Sequence, residues 1–274
     1  MTNLISVELT DAHFKKISQL VYRLCGIYLK EGKESLVRAR LMKRLRALSI
    51  NDFETYIKYI ESKEGANELV FMVDVITTNK TGFFREPAHF EYLRDNILPE
   101  LKSRKLRFWS AACSSGEEAF SLAIILKESI PDIENRDVKI LATDISVRML
   151  EKARQAIYVE DSLRDIPPAF LQKYFFRLQN NRQAVHYQIK DNIKEIVRVA
   201  RLNLIEPWPM KGTFNVIFCR NVMIYFDRAT QQTLINRFWD YLESGCYLFV
   251  GHSEGLSAIS HKFDYVRPAI YRKG

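Results

Sequence analysis

Glu117 and Glu118 stand together at the start of a helical run, directly behind the loop Ser110–Gly116, which itself follows the apolar run Leu106–Trp109. Strand, tight loop and helix in that order make a nucleotide-type site, because a helix start offers free backbone N–H groups to a ligand. A loop that cradles a diphosphate needs several glycines for close backbone approach, and this one has Gly116 alone. Two carboxylates beside a diphosphate would also repel it. The same acids suit a cationic ligand without phosphate, and S-adenosylmethionine, which joins an adenosine to a sulfonium and an ammonium group, has that chemistry. The plain alternative is that the two acids only favour the helix dipole. The next strand-like run ends in LATDIS, which puts Asp144 at a carboxyl edge, where an acid can accept both ribose hydroxyls or cap the helix starting near Ser146.

Two further stretches carry polar groups with no evident packing role. TTNKTGFFREPAHF places Asn79, Thr81 and Arg85 where they can close over a cofactor, although a linker before a Pro87 helix start also explains it. NVIFCRNVMIYFD runs from an apolar strand straight into Arg220 and Asn221, an odd choice for packing at a strand end.

The elements that must position these residues form three regions. Residues 10 to 77 read as helices throughout, with Asn51 or Asp52 capping FETYIKYIESK and Val37, Leu41, Leu45 and Leu48 on one stripe of a basic helix. From Pro87 helices and strands alternate, which implies a parallel sheet covered by helices. The alternation breaks after Tyr158, where AVHYQIK and EIVRVAR read as one small antiparallel unit, and it resumes at FNVIFCR; the final FDYVRPAIYRK closes the sheet. The expected division is an all-helical domain over 1–78, a linker over 79–90 that contributes to the site, and an α/β domain over 91–274 with a β-insertion at about 159–199.

At 274 residues and 47% hydrophobic the chain can bury a substantial core. It has no run of roughly 20 apolar residues and no signal-peptide order at its N-terminus, so a cytoplasmic protein without membrane insertion is expected. Four separated cysteines and five histidines without ligand spacing predict reduced thiols and no metal. The net charge of +8 is concentrated: residues 11 to 50 hold ten basic residues against three acidic ones, including Arg38, Lys43 and Arg46 on the polar side of the basic helix. That face is either a solvated surface or a docking face for an acidic partner.

The segments TTNKTGFFRE, WSAACSSGEEAFSLA, ATDIS with LEKARQAIY, RNVMIYFD and GHSEGL, in that order, closely resemble the bacterial chemotaxis receptor methyltransferases over nearly the whole chain. The resemblance implies an all-α N-terminal domain and a doubly wound, Rossmann-like S-adenosylmethionine domain carrying a small antiparallel β-subdomain. It implies methyl esterification of glutamate side chains on the cytoplasmic domain of methyl-accepting chemoreceptors, with S-adenosylhomocysteine as product. Carried over by motif, the cofactor set is Asn79, Thr81, Arg85, Glu117 with Glu118 as alternative, Asp144, Asn203, Leu204, Arg220 and Asn221. Ala119-Phe120 departs from the Pro-Tyr of many relatives, which touches helix packing rather than chemistry. In some members of the family the β-subdomain binds a peptide at the receptor C-terminus; here its free edge is expected to be basic or neutral, with Arg182, Lys190, Lys194 and Arg198 nearby.

A glutamate side chain, with an ordinary pKa of about 4.3, is already ionised at neutral pH, so its methylation needs no general base. Arg85 and Tyr225 are therefore assigned to positioning. Enzymes that methylate exocyclic base amines carry Asp or Asn followed by Pro-Pro and an aromatic after the fourth strand, where this chain reads RNVMIYF; a protein substrate and no nucleic-acid partner are expected. A monomer is expected. The rival readings are an S-adenosylmethionine-binding adaptor or sensor and a methyltransferase of another acidic protein.

Overall fold

The computed structural model describes residues 7–178 and 185–274 and divides into two compact units. Arg182 lies outside the described residues.

The first unit comprises the described residues up to Thr78 together with Tyr225–Asp227. Its helices are α1 (Asp11–Cys25), α2 (Glu34–Leu48), α3 (Phe53–Glu61) and α4 (Glu68–Ile76). Two of the starts follow from capping side chains: before α1 the Thr10 hydroxyl accepts from the His13 amide, and before α3 the Asp52 carboxylate accepts from the Thr55 amide. Val37, Leu41 and Leu45 are buried with Ile17, Val21, Phe53 and Tyr56, while Leu48 at the end of the stripe is half-buried. Glu68 is buried as well, and it is tolerated there because Arg44 grips both its oxygens at 2.8 and 2.7 Å and the Tyr56 hydroxyl donates to it at 3.0 Å. On α2, Lys43 and Arg46 are exposed, whereas the Arg38 guanidinium donates to the Val7 carbonyl at 2.7 Å and is half-buried. The tripeptide 225–227 is held by a bridge between Ile27 and Phe226, by the Tyr28 amide donating to the Tyr225 carbonyl at 2.8 Å and by the Tyr22 hydroxyl donating to Asp227 at 2.7 Å.

The second unit begins with α5 (Pro87–Tyr92), which runs on through a π-helical turn, Leu93–Ile97. Then follow β1 (Lys105–Ala111), α6 (Glu117–Ser129), β2 (Asp137–Asp144), α7 (Val147–Gln155), β3 (Ile157–Val159), α8 (Pro168–Tyr174), β4 (Phe175–Leu178) and β5 (His186–Ile189). After α9 (Asp191–Lys194) come β6 (Val197–Arg201), β7 (Phe214–Cys219), α10 (Arg228–Tyr241), β8 (Leu242–Val250), β9 (Asp264–Arg267) and β10 (Ile270–Arg272). Seven strands form one sheet in the order β6-β2-β1-β7-β8-β10-β9, parallel from β6 to β8, with the last two antiparallel. All six residues of β7 are buried, as a central parallel strand covered on both faces requires.

The small sheet has the order β3-β5-β4 and is antiparallel. This corrects the expected pairing of AVHYQIK with EIVRVAR. Asp191 and Asn192, between the two runs, open the short helix α9, and Ile157–Val159, at the very start of the expected insertion, supplies the partner strand. Val197–Arg201 goes to the edge of the main sheet, parallel to β2. The expected basic edge changes with it: Arg198 lies on the main sheet, Lys194 pairs with Asp191, and Lys190 donates to the Gln172 and Lys173 carbonyls. The small sheet presents Ile157, Val159 and Phe176 exposed.

Candidate active site

Strand order reverses between β1 and β7: the chain builds outward from β1 through β2 to β6 on one side, and from β7 to β8 on the other. Ligands of open α/β sheets bind outside the carboxyl ends of the strands at such a reversal, so the segments after β1, β2 and β7 are where a site belongs.

The loop after β1 is tight, with Ala112, Ser114 and Gly116 all in the left-handed region at φ 68°, 49° and 97°. At Gly116 a side chain would be doubly excluded, since a Cβ would lie 3.0 Å from that of Ala153. Asp144, at the end of β2, ties this loop to its own: its carboxylate accepts from the Ser114 amide at 2.8 Å and from the Ser146 amide at 2.9 Å. Ser146 caps α7, a role that the sequence also allowed Asp144. The Ser114 hydroxyl donates to the Asn79 carbonyl at 3.2 Å, which brings the first of the 79–87 residues to the same loop.

Glu117 and Glu118 diverge on α6, as consecutive helical positions must. Glu118 is engaged internally, accepting from the Ser110 hydroxyl at 2.6 Å and from Arg220 at 3.1 Å. Glu117 is buried and accepts from the Ser115 hydroxyl. Burial pushes both carboxyls above their ordinary range; for Glu118 the nearby Arg220 opposes it. For Glu117, its own backbone amide, the Ser115 hydroxyl and the charge of Lys152 favour the ionised form but do not offset the burial, and a buried carboxylate left in that state fits a cationic ligand such as an ammonium group.

At the end of β7 the Arg220 side chain is 1% exposed, and it pairs with Glu118 and with Glu86 Oε2 at 3.0 Å. It also donates to the Arg85 carbonyl. Asn221 takes φ 58°, and its side-chain amide donates to Glu86 Oε1 at 3.2 Å. Burial raises the Glu86 carboxyl, but Arg220 and Asn221 more than compensate and leave it below the ordinary range. The segment carrying Thr81 and Arg85 is anchored on α6 by the Phe84 amide donating to the Ser121 hydroxyl at 2.9 Å. Arg85 is exposed, between two left-handed residues, Phe84 and Glu86, and donates to the Lys80 carbonyl at 3.0 Å. Residues 80–87 line a cavity of about 560 Å³ together with Asp165.

Asn203 and Leu204 follow β6, with the Leu202 amide donating to the Asp144 carbonyl at 3.0 Å and the Asn203 side chain donating to Glu206 at 2.9 Å. Tyr225 is not part of this group; it falls in the helical unit.

Sequence reading missed three members of the network. Glu86, one residue beyond Arg85, is the shared acceptor of Arg220 and Asn221. Glu254, inside the quoted GHSEGL, accepts the amides of Asn221 at 2.5 Å, Gly251 at 2.7 Å and Ile224 at 3.2 Å. The third is the pair of histidines. The expectation that histidines make no ligand-spaced cluster is corrected: ligand atoms of Glu86, His89 and His252 lie within 4.8 Å of one another. The two histidines are distant in sequence and meet only because α5 and the end of β8 converge. The Arg220 guanidinium already occupies Glu86 there, so the group lacks the open carboxylate a metal would need.

The sheet order and its reversal define a Rossmann-like α/β domain with acid-bearing loops at its carboxyl edge. Residues 79–271 match the CheR methyltransferase SAM binding domain, and residues 12–77 match the CheR methyltransferase all-alpha domain. The chain is 39% identical to the chemotaxis protein methyltransferase of Borreliella burgdorferi, with 98% of this chain and 96% of that one covered. It is 41% identical to the probable chemotaxis protein methyltransferase of Rhizobium etli (92% and 96% covered) and 39% identical to that of Escherichia coli (97% and 92%). The chain belongs to the CheR methyltransferase family.

Proposed function

We propose that this protein transfers the methyl group of S-adenosylmethionine to glutamate side chains on the cytoplasmic domain of chemoreceptors, with the residues around the β1–β7 reversal as its site. The observation that carries the residue assignment is the buried Glu117 carboxylate at a helix start, beside a loop that Asp144 closes. In this reading Glu117 holds the ammonium group of the cofactor, Asp144 the ribose, and Asn203, Leu204 and the Asn221 side chain complete the adenosine end. Arg220 acts by fixing Glu118 and Glu86, so that neither competes for the ammonium. Asn79, Thr81 and Arg85 close over the cofactor, and the 560 Å³ cavity beside Arg85 is the approach for the acceptor glutamate.

The reaction is a displacement: a carboxylate oxygen forms a bond to the methyl carbon while the carbon–sulfur bond breaks and its electron pair returns to sulfur. No proton moves, so the chain's residues contribute alignment and exclusion of water, and orientation of this kind is worth up to ~7–11 kcal/mol. Arg85 serves as a positioning group; an arginine that gripped the acceptor carboxylate tightly would stabilise ground and transition states alike. The exposed Lys43 and Arg46 of α2, with Arg38, form the docking face for an acidic receptor helix. The small sheet is a second contact, taking a receptor C-terminal peptide as an added strand. The protein acts as a monomer.

The test is whether radiolabelled methyl enters a receptor fragment as a base-labile ester. Asp144→Ala should weaken S-adenosylhomocysteine binding by about 2–4 kcal/mol through lost charge-assisted hydrogen bonds. Label in a base-stable product would overturn the ester assignment, and unchanged affinity in calorimetry would remove Asp144 from the site.

A further inference from the structure

We infer that Glu254 is a positioning residue, which sets the Asn221 side chain for the cofactor by accepting the backbone amides of the turn after β7. The inference rests on the reading of Asn221 as a cofactor contact.

β7 ends at Cys219, and the chain then turns sharply through Arg220–Ile224. A turn after a central strand leaves backbone N–H groups without ladder partners, and in a buried place each must find an acceptor. Glu254, 6% exposed, supplies it from a different strand connection: Oε2 accepts from the Asn221 amide at 2.5 Å and Oε1 from the Ile224 amide at 3.2 Å. The same Oε2 accepts from Gly251 at 2.7 Å, which fixes the carboxylate to the end of β8. Asn221 takes φ 58°, a conformation that a non-glycine residue holds only when its surroundings enforce it. The carboxylate on its amide is such an enforcement, and the direction in which the Asn221 side chain leaves the backbone follows from it.

An independent observation comes from Gly251. A Cβ there would fall 2.5 Å from Glu254 Oε2, 2.6 Å from the Asn221 side-chain nitrogen and 2.9 Å from the Asn221 amide. The carboxylate and the asparagine are therefore packed against a residue with no room for a side chain. The cradle accepts a carboxylate at the reach of glutamate and little else. An amide in its place would turn an N–H₂ toward donors or give up one oxygen.

The experiment is a double-mutant cycle read by S-adenosylhomocysteine calorimetry, with kcat and KM for S-adenosylmethionine measured alongside. Asn221→Ala and Glu254→Gln are each expected to weaken binding at least tenfold, with KM moving more than kcat. A positioning role requires that Glu254→Gln cost little further affinity in the Asn221→Ala background, whereas a merely structural role gives the same loss in both backgrounds and overturns the inference. An unchanged affinity for Glu254→Gln beside a weakened Asn221→Ala also overturns it. If Asn221→Ala binds normally while Asp144→Ala does not, the reading of Asn221 falls and takes the inference with it, leaving the remaining cofactor assignments standing. Should Glu254→Gln fail to fold, Gly251→Ala, which intrudes between the same two side chains, enters the cycle in its place with the same expected non-additivity.

Discussion

Acid should destabilise the larger unit through one histidine. His89 on α5 is 1% exposed, neither ring nitrogen has a hydrogen-bond partner, and its ring lies edge-on to Phe249 at 5.4 Å and to His252 at 4.8 Å. Glu86, 3.4 Å away, favours its protonation, but burial above all, then Arg220, His252 and Arg267, disfavours it and holds its pKa at about 3. In the unfolded chain the same imidazole titrates near the ordinary 6.5. A depressed histidine binds fewer protons folded than unfolded, so its contribution is complete above pH 6.5 and is lost as the pH falls toward 3. At pH 4.5 the native ring is still neutral while the unfolded one lies about two units below its pKa, which at 1.36 kcal/mol per unit makes a loss of about 2.7 kcal/mol. His89→Leu, close in volume, should cost less than about 1.5 kcal/mol at pH 7.5 and remove the acid-labile component. Urea unfolding by tryptophan fluorescence reads the right unit, since Trp109, Trp208 and Trp239 all belong to it. Between pH 7.5 and 4.5 wild type should lose about 2.7 kcal/mol more than the variant, a difference that cancels the other titrating carboxyls common to both. Equal losses in the two proteins would mean that His89 takes up a proton freely, and the reasoning from its burial would fail.

With Glu117 as the proposed holder of the ammonium, its raised carboxyl should make cofactor binding proton-linked: an ammonium favours the ionised form, so binding in mild acid should release a proton and affinity should rise with pH. Glu117→Gln should abolish that linkage, and a proton release that survives the substitution would place the ammonium elsewhere. Reversing Lys43 and Arg46 to glutamate should lower kcat/KM for a receptor fragment roughly tenfold at low salt and flatten its salt dependence, with S-adenosylhomocysteine affinity unchanged. Indifference of receptor methylation would return α2 to an ordinary solvated face. Shortening the β4–β5 connection should impair methylation only of receptors that keep their C-terminal tails; equal loss on tailless receptors would make the small sheet a cover for the site.

Alternation of strand and helix periods announced the parallel sheet, and Ser110–Phe120, Asp144 and Arg220–Asn221 each fell at a carboxyl edge because a strand's end is a local property of its apolar run. Pairing is not local. EIVRVAR reads as a strand whichever sheet it joins, and only the helix opened at Asp191 separates it from AVHYQIK and frees it to meet β2. For the same reason His89 and His252 looked unrelated. The different partners of Glu117 and Glu118 were legible only in three dimensions, where Glu118 faces Ser110 and Arg220 and Glu117 faces Ser115. Arg38 looked equivalent to Lys43 and Arg46 by charge, yet a backbone carbonyl of Val7 engages it.

Tyr225–Asp227 lies far down the chain, yet it packs as part of the helical unit, with Phe226 bridged to Ile27 and Asp227 bonded to Tyr22. Continuity in sequence and membership of a compact unit therefore disagree. A fragment cut after Thr78 would leave the hydroxyl of Tyr22 and the backbone of Ile27 and Tyr28 facing water, and the complementary fragment would carry Phe226, buried in the intact protein, as an exposed sticky ring. A chimera that transplants the helical part should therefore bring the tripeptide 225–227 with it.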